Sequence, residues 1–222
     1  MDTPAAASTS GRRALRLVEF NLHVARFAHR SWLEAVVPEG RWSAADRVES
    51  QISRWLLREL GLEADLDWDL HEPQKRLWLL DGSTLQRLAA ELALAMHRQW
   101  LLQVIDGARL RSLADAVGEP AVRFVVGEVP EGSFHYQSPQ VRLMGAAPGE
   151  LRSGLIQEGA RTLVALLQPA WRAVRGRAQL HFDRSQDLAA IPALEPPHCK
   201  RALELIGGWL IPRRFPEWAW CL

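Results

Sequence analysis

Apolar residues recur every three or four positions along most of the 222-residue chain, and this spacing predicts a mainly α-helical fold. One predicted helix begins at the capping residue Ser43, carries its apolar residues on one face and stops at Gly61. Another begins at Ser83, and a long amphipathic helix is predicted over residues 149–168. Together these stripes indicate a single compact helical domain.

Some segments interrupt the helical pattern. The run EADLDWDLHE, residues 63–72, alternates acidic with apolar residues, which predicts an extended segment or a loop. Residues 127–149 contain four glycines and three prolines and are expected to form the main loop region. Short strands over residues 141–144 and 178–183 would add a minor β element to the helical domain.

Composition narrows the class of protein. The net charge is +1, so the whole molecule has no strong field for attracting nucleic acid. Two cysteines are too few for a disulfide scaffold, which favours a reduced compartment. No apolar run approaches the ~18 residues that a transmembrane helix needs, so no direct membrane insertion is expected. We predict a cytoplasmic protein with a flexible N-terminal tail over residues 1–13 and a helical domain over residues 14–222.

The acidic residues Asp65, Asp67 and Asp69 have the opening spacing of a calcium-binding loop. That loop also requires glycine at its sixth position and glutamate at its twelfth, where this chain has Leu70 and Arg76. A solvated or partner-facing acidic surface is therefore the better interpretation. The sequence predicts no metal site and no cofactor.

No complete catalytic motif is present in the sequence. His181 and Asp183 lie near Ser185, but neither a nucleophile elbow nor another family signature surrounds them. The glycines match neither a phosphate-binding loop nor a dinucleotide fingerprint. We therefore predict no catalytic residues and a protein that is not an enzyme.

A DNA-binding regulator is the alternative hypothesis. Residues 110–126 read as two helices with Gly118 at the turn, as in a helix-turn-helix. The second of these helices offers only Arg123 for base or phosphate contacts, whereas a groove-reading helix needs several such donors. A separate group of arginines is expected on an exposed, solvated helix face: Arg172, Arg175 and Arg177.

The order and apolar pattern of the segments from Leu17 to Pro212 resemble those of the SctK family (YscK or PscK), the adaptors of type III secretion sorting platforms. The resemblance rests on LVEFNLHVARFAHRSWLEAVVP, LQRLAAELALAMHRQWLLQVI, LRSLADAVGEPAVRFVV, ELRSGLIQEGARTLVALLQPAWRAV and QLHFD. It implies a non-enzymatic scaffold that bridges the cytoplasmic domain of the SctD-like inner-membrane ring protein to the SctQ-like pod protein. Such a protein would lie in the cytoplasm, peripheral to the secretion machine, and would bind no nucleic acid.

An adaptor with two partners needs two surfaces. The first candidate is the acidic group Asp65, Asp67 and Asp69, which could meet a basic partner. The second is the C-terminal aromatic tail with Trp218 and Trp220, which we expect to be exposed. Aromatic anchors dominate interface energies, and the loss of a central one typically costs ~2 kcal/mol or more.

Overall fold

The computed structural model describes residues 4–37, 46–103, 107–130 and 147–221. The chain divides into two compact units. Unit 1 comprises Met1–Gly82, Leu167–Ile191 and Trp220–Leu222. Unit 2 comprises Ser83–Leu166 and Pro192–Ala219. The expected division into a tail and one helical domain over residues 14–222 stays a prediction.

The described residues form helices and contain no strand, which confirms the predicted mainly α fold. The α-helices of the described ranges are α1 (Pro4–Leu22), α2 (Arg30–Glu34), α3 (Asp46–Glu59), α4 (Pro73–Arg76), α5 (Gly82–Met96), α6 (Arg98–Gln103), α7 (Gly107–Val117), α8 (Glu119–Gly127), α9 (Pro148–Ala165), α10 (Arg172–Ala178), α11 (Pro196–Leu205) and α12 (Ile211–Arg214). A π-helix spans Ile206–Leu210. Short 3-10 helices span Val24–Arg26, Leu77–Leu79, Gln179–His181, Arg184–Gln186, Leu188–Ala190 and Pro216–Cys221.

Several predicted boundaries can be compared with these helices. The long helix expected over 149–168 is α9, which Pro148 opens at a position where its missing N–H costs nothing. Helix α1 already begins at Pro4, inside the expected tail, because its first turns are rich in alanine, the strongest helix former. The predicted cap Ser43 and the predicted strand over 141–144 lie outside the described residues.

The strand predicted over residues 178–183 was wrong. Helix α10 runs directly into the 3-10 helix Gln179–His181, and Leu180, His181 and Phe182 are all buried. Consecutive buried positions do not suit a strand with one solvated face, since a strand points successive side chains to opposite sides. The short alternation in QLHFD was therefore a chance pattern within a helical turn.

Unit 1 builds its core between α3 and the segment that follows α1. Val24, Trp32, Leu56, Leu62 and Leu180 are among the buried residues of this cluster. The indole N–H of Trp32 donates to the carbonyl oxygen of Phe182 at 3.0 Å, so this large aromatic side chain is buried with its polar group satisfied.

A buried carboxylate ties α3 to the end of α1. Glu49 accepts from Arg26 Nε at 2.9 Å and from the Ser53 hydroxyl at 3.1 Å, and His23 Nδ1 lies 3.2 Å away. Burial alone would raise the pKa of Glu49, but these hydrogen bonds outweigh burial and hold the pKa below its ordinary value. Glu49 therefore stays ionised and links the two helices at neutral pH.

Unit 2 is organised around α5, whose side chains are buried along most of its length. Helix α9 crosses α5 at Gly159, where an added Cβ would lie 1.8 Å from the carbonyl oxygen of Ala89. Two buried glutamates are paired in this unit: Glu91 accepts two hydrogen bonds from Arg214, and Glu158 lies 2.8 Å from His97 Nε2. Within the described ranges, no helix is both long and apolar enough to cross a membrane.

Candidate functional site

The connection between α3 and α4 is held against α1 by one buried amide side chain. Asn21, on the last turn of α1, donates from Nδ2 to the carbonyl oxygen of Asp67 at 2.9 Å. Its Oδ1 accepts from the N–H of Asp67 at 3.0 Å. Because both backbone groups of Asp67 are bound to the same side chain, this irregular segment has a fixed position beside α1.

A buried arginine also holds this segment. Arg177 on α10 donates to the carbonyl oxygens of Asp65 at 2.8 Å and of Asn21 and Leu62 at 3.3 Å. Burial lowers the pKa of Arg177 to about 10, an effect that Asp65 and Asp67 partly oppose. The guanidinium remains charged at neutral pH and serves as a structural clamp. The expectation of three solvated arginines on α10 was therefore wrong for this residue.

The three candidate aspartates do not form one solvated acidic surface. Asp67 turns toward the nearly buried Lys75, whose Nζ donates to Oδ2 at 2.8 Å. Asp69 is exposed and lies 3.9 Å from the same ammonium group. Asp65 is half-buried. Of the three aspartates, Asp69 is therefore the most accessible, and a role of the group in partner binding stays a prediction.

The apolar residues between these aspartates point outward instead. Trp68 is 50 % exposed, and Leu66 is exposed as well. Helix α1 adds an exposed stripe at helical spacing, Leu15, Val18 and Leu22, which we call the α1 stripe. Five of the six large exposed apolar side chains among the described residues lie on α1 or in this segment. Single exposed apolar residues are ordinary, but such a concentration makes α1 and this segment candidate regions for partner binding.

A cleft of about 630 Å³ lies in unit 1, between α1 and the segment that precedes α4. Trp68 and Leu70 provide apolar walls, and the cationic groups Arg13 and Arg76 face a single carboxylate, Asp69. The residues lining the cleft are Arg13, Trp68, Asp69, Leu70, His71 and Arg76. Arg13 belongs to α1, so the cleft and the Asn21 contact place α1 alongside residues 67–71.

The aromatic tail is packed against the protein. Trp218 is 8 % exposed, so its predicted exposure was wrong, and Trp220 is half-buried. The carbonyl oxygen of Trp220 accepts two hydrogen bonds from the Arg13 guanidinium. The tail is apolar enough to pack, and the carbonyl group of Trp220 finds a donor, which favours packing over extension into solvent. Arg13 thus joins Trp220 to the cleft.

The residues considered for catalysis have structural roles. His181 stacks on Phe27 with ring centroids 4.3 Å apart, and burial lowers its pKa to about 3. Asp183 accepts hydrogen bonds from both the N–H and the hydroxyl group of Ser185, as an ordinary cap of a short helix. Within the described ranges, no three metal-ligating side chains are grouped closely enough to hold an ion.

The predicted helix pair of the alternative hypothesis is present. Helices α7 and α8 meet at Gly118, whose φ of 93° suits glycine. Glu119 begins α8 and forms an ion pair with Arg123. A helix-turn-helix protein contacts DNA with the N-terminal end of its second helix. An acidic residue at that end would repel the phosphates, so the described residues do not favour DNA binding.

Sequence reasoning did not identify the exposed apolar surface. The alternation in residues 63–72 does not show that Leu66 and Trp68 are exposed while Asp67 turns inward. The stripe Leu15, Val18 and Leu22 has helical spacing, yet it begins next to residues that were interpreted as a flexible tail. The helical spacing of Leu15, Val18 and Leu22 is the feature of the sequence that could have indicated this exposed stripe.

Comparison with known proteins gives one finding. The family described as YOP proteins translocation protein K (YscK) matches the chain over residues 14–204. No curated protein and no solved structure matches the chain significantly. The matched range includes most of the residues of both units, among them the α1 stripe and every residue lining the cleft except Arg13.

Proposed function

The chain belongs to the YscK family of type III secretion proteins, and we propose that it is a cytoplasmic, non-enzymatic adaptor of the sorting platform. The family match over residues 14–204 is the observation that carries this proposal. In this role the protein bridges the cytoplasmic domain of an SctD-like inner-membrane ring protein to an SctQ-like pod protein. It lies at the cytoplasmic side of the inner membrane without entering it.

The exposed apolar side chains of the α1 stripe, Leu66 and Trp68 support an adaptor role. Exposed apolar residues favour aggregation unless a partner covers them, and an adaptor is covered when assembled. The segment that carries Leu66 and Trp68 is fixed by Asn21 and Arg177, so little ordering entropy is lost there when a partner binds. Asp69, which lines the cleft, and Trp220, which is bonded to Arg13 of the cleft, remain candidate contacts.

Pairwise co-purification tests the proposal. The full chain is mixed at micromolar concentration with the purified pod protein, and separately with the purified cytoplasmic domain of the ring protein, both from the same organism. Size-exclusion chromatography with light scattering should show a stable complex with each. A pod protein and a ring domain that both elute apart from the chain would refute the adaptor role.

A further inference from the structure

The segment between α3 and α4 runs from Asp65 to His71 without a turn or bend, so it is extended. In an extended chain, the N–H and carbonyl groups of successive residues point to opposite sides. The odd-numbered residues of this segment are bonded within the chain. Asn21 binds both backbone groups of Asp67, and Arg177 donates to the carbonyl oxygen of Asp65 at 2.8 Å. One side of the segment is therefore fixed against the rest of unit 1.

The even-numbered residues direct their backbone groups to the other side. The N–H and carbonyl groups of Leu66, Trp68 and Leu70 form no hydrogen bond with any residue that the structure describes. The N–H groups of Asp69 and His71, in contrast, each donate at 2.9 Å to the aspartate carboxylate two residues earlier. The even positions thus leave a row of donors and acceptors of the kind that an edge strand presents.

The side chains of this row are apolar. Side chains two residues apart lie on the same face of an extended segment. Leu66 is 40 % and Trp68 is 50 % exposed, and Leu70 is half-buried in the wall of the cleft. Asp67, which lies between the two exposed residues, turns inward to Lys75. Unpaired backbone groups and an exposed apolar face therefore belong to the same residues.

We propose that residues 66–70 form a docking edge for an extended peptide segment of one secretion-machine partner, which pairs with them as an added β-strand. The proposal rests on the proposed adaptor function and assigns that function to a definite surface. The main chain of the peptide bonds to the free N–H and carbonyl groups of Leu66, Trp68 and Leu70. Its apolar side chains, at every second position, cover Leu66 and Trp68.

The pattern of free groups favours a strand over a helix as the occupant. A helix satisfies its own backbone groups and would leave those of the docking edge without partners. Five residues at about 3.3 Å each give an edge of roughly 16 Å, so a paired segment of about five residues covers it. Because Asn21 and Arg177 already hold the edge in place, pairing orders little additional chain in this protein.

Amide hydrogen exchange in the full chain tests the pairing directly. In the free chain, the amides of Leu66, Trp68 and Leu70 should exchange rapidly, whereas that of Asp67, which is bonded to Asn21, should exchange more slowly. The chain is then saturated with the purified pod protein, and separately with the purified cytoplasmic domain of the ring protein. One of the two should slow exchange of the three edge amides by about 10-fold or more and leave the Asp67 amide little changed.

Variants at exposed positions separate the side-chain contacts from the backbone pairing. Trp68→Ala removes the aromatic side chain, and Trp68→Pro removes the N–H donor as well. Leu66→Ala has a matched control in Leu102→Ala, because Leu102 of unit 2 is 44 % exposed. Circular dichroism and thermal melting check that each variant folds, and calorimetric titration measures its affinity for each partner.

Trp68→Ala should lower the affinity for the protecting partner by roughly 10- to 30-fold. Trp68→Pro should lower it by roughly a further 5-fold, since a carbonyl group of the peptide then loses its donor. Leu66→Ala should weaken binding, and Leu102→Ala should bind as the wild type does.

The outcomes distinguish the docking edge from the adaptor function. A partner that binds the wild type and leaves the exchange of all three edge amides unchanged would overturn the docking edge alone. A wild-type chain that binds neither partner would overturn the adaptor function and the docking edge with it. Edge amides that are protected in a dimer of the chain, with no partner present, would assign the edge to a second copy and also overturn the proposal.

Discussion

The crossing of α9 over α5 allows a sharp prediction about stability. At Gly159 the two backbones are so close that a methyl group would lie 1.8 Å from the Ala89 carbonyl oxygen, 2.4 Å from its carbonyl carbon and 2.7 Å from its Cα. All three atoms belong to the backbone of α5, so no side-chain rotation relieves the contact. Gly159→Ala must therefore push the helices apart or bend one of them.

Two opposing effects set the size of this change. Alanine in place of glycine inside a helix gains about 0.5–1 kcal/mol of propensity. To restore an ordinary contact distance near 3.5 Å, the two helices must move apart by about 1.5–2 Å at the crossing. Overpacking of a tight core typically costs ~1–3 kcal/mol, and more where the backbone must move. We expect Gly159→Ala to lower the free energy of unfolding by about 2–3 kcal/mol, or Tm by roughly 4–12 °C.

Urea denaturation followed by far-UV circular dichroism measures the effect. Gly149→Ala is the matched control, since Gly149 lies on the same helix and an added Cβ there meets nothing within 4 Å. The control should be neutral or slightly stabilising. Equal stability of Gly159→Ala and the wild type would show that α9 does not cross α5 at this distance.

Three further changes probe unit 1. Glu49→Gln should flatten the fall of stability in acid. Because the pKa of Glu49 is lowered in the folded protein, the stabilisation by this carboxylate is complete above the ordinary carboxylate pKa and is lost as the pH falls through the folded value. Melting temperatures of the variant that fall between pH 7 and 3 as steeply as those of the wild type would contradict this. Asn21→Ala removes both hydrogen bonds to Asp67 and should lower the free energy of unfolding by about 1–3 kcal/mol. It should also expose residues 62–72 to proteolysis. An unchanged digestion pattern would show that Asn21 does not hold this segment. Gly176→Ala places a Cβ 2.5 Å from a terminal carbon of the buried Leu62. Because a side chain can move aside more easily than a backbone, the free energy of unfolding should fall by about 1–2 kcal/mol, less than for Gly159→Ala. A larger decrease than for Gly159→Ala would refute that ranking.

The helical fold could be predicted because apolar residues that pack into the core recur at the period of a helix. The stripes of α3, α5 and α9 repeat every three to four residues, Gly61 follows the end of α3, and Pro148 opens α9. The failure at residues 178–183 has the opposite cause. Six residues are too few to separate alternation from a buried helical turn, and nothing local shows that His181 is buried together with Leu180 and Phe182.

The candidate site was less predictable, since the orientation of an irregular segment depends on distant residues. Asp67 points inward because Lys75 and Asn21 hold it, and Arg177, more than a hundred positions away, fixes the neighbouring carbonyl groups. Composition suggested that the acidic residues face solvent. The clamps turn Asp67 inward, whereas Asp69 and Trp68 are exposed.

The packing of the C-terminal tail also depends on a contact between residues that are far apart in the sequence. Trp218 and Trp220 were expected to be free because aromatic residues near a terminus often mark an interface. Arg13 reaches Trp220 across more than two hundred positions of sequence, a pairing that no local pattern encodes. Nothing in the sequence distinguishes these tryptophans from the exposed Trp68.

Simultaneous binding of both partners tests the central claim most directly, because a bridge must hold two proteins at once. The chain is saturated with the ring protein's cytoplasmic domain, the pod protein is then added, and light scattering reports the mass of the eluting species. The adaptor account predicts one species whose mass is the sum of all three proteins. Displacement of the ring domain by the pod protein, with only binary complexes at any ratio, would contradict it.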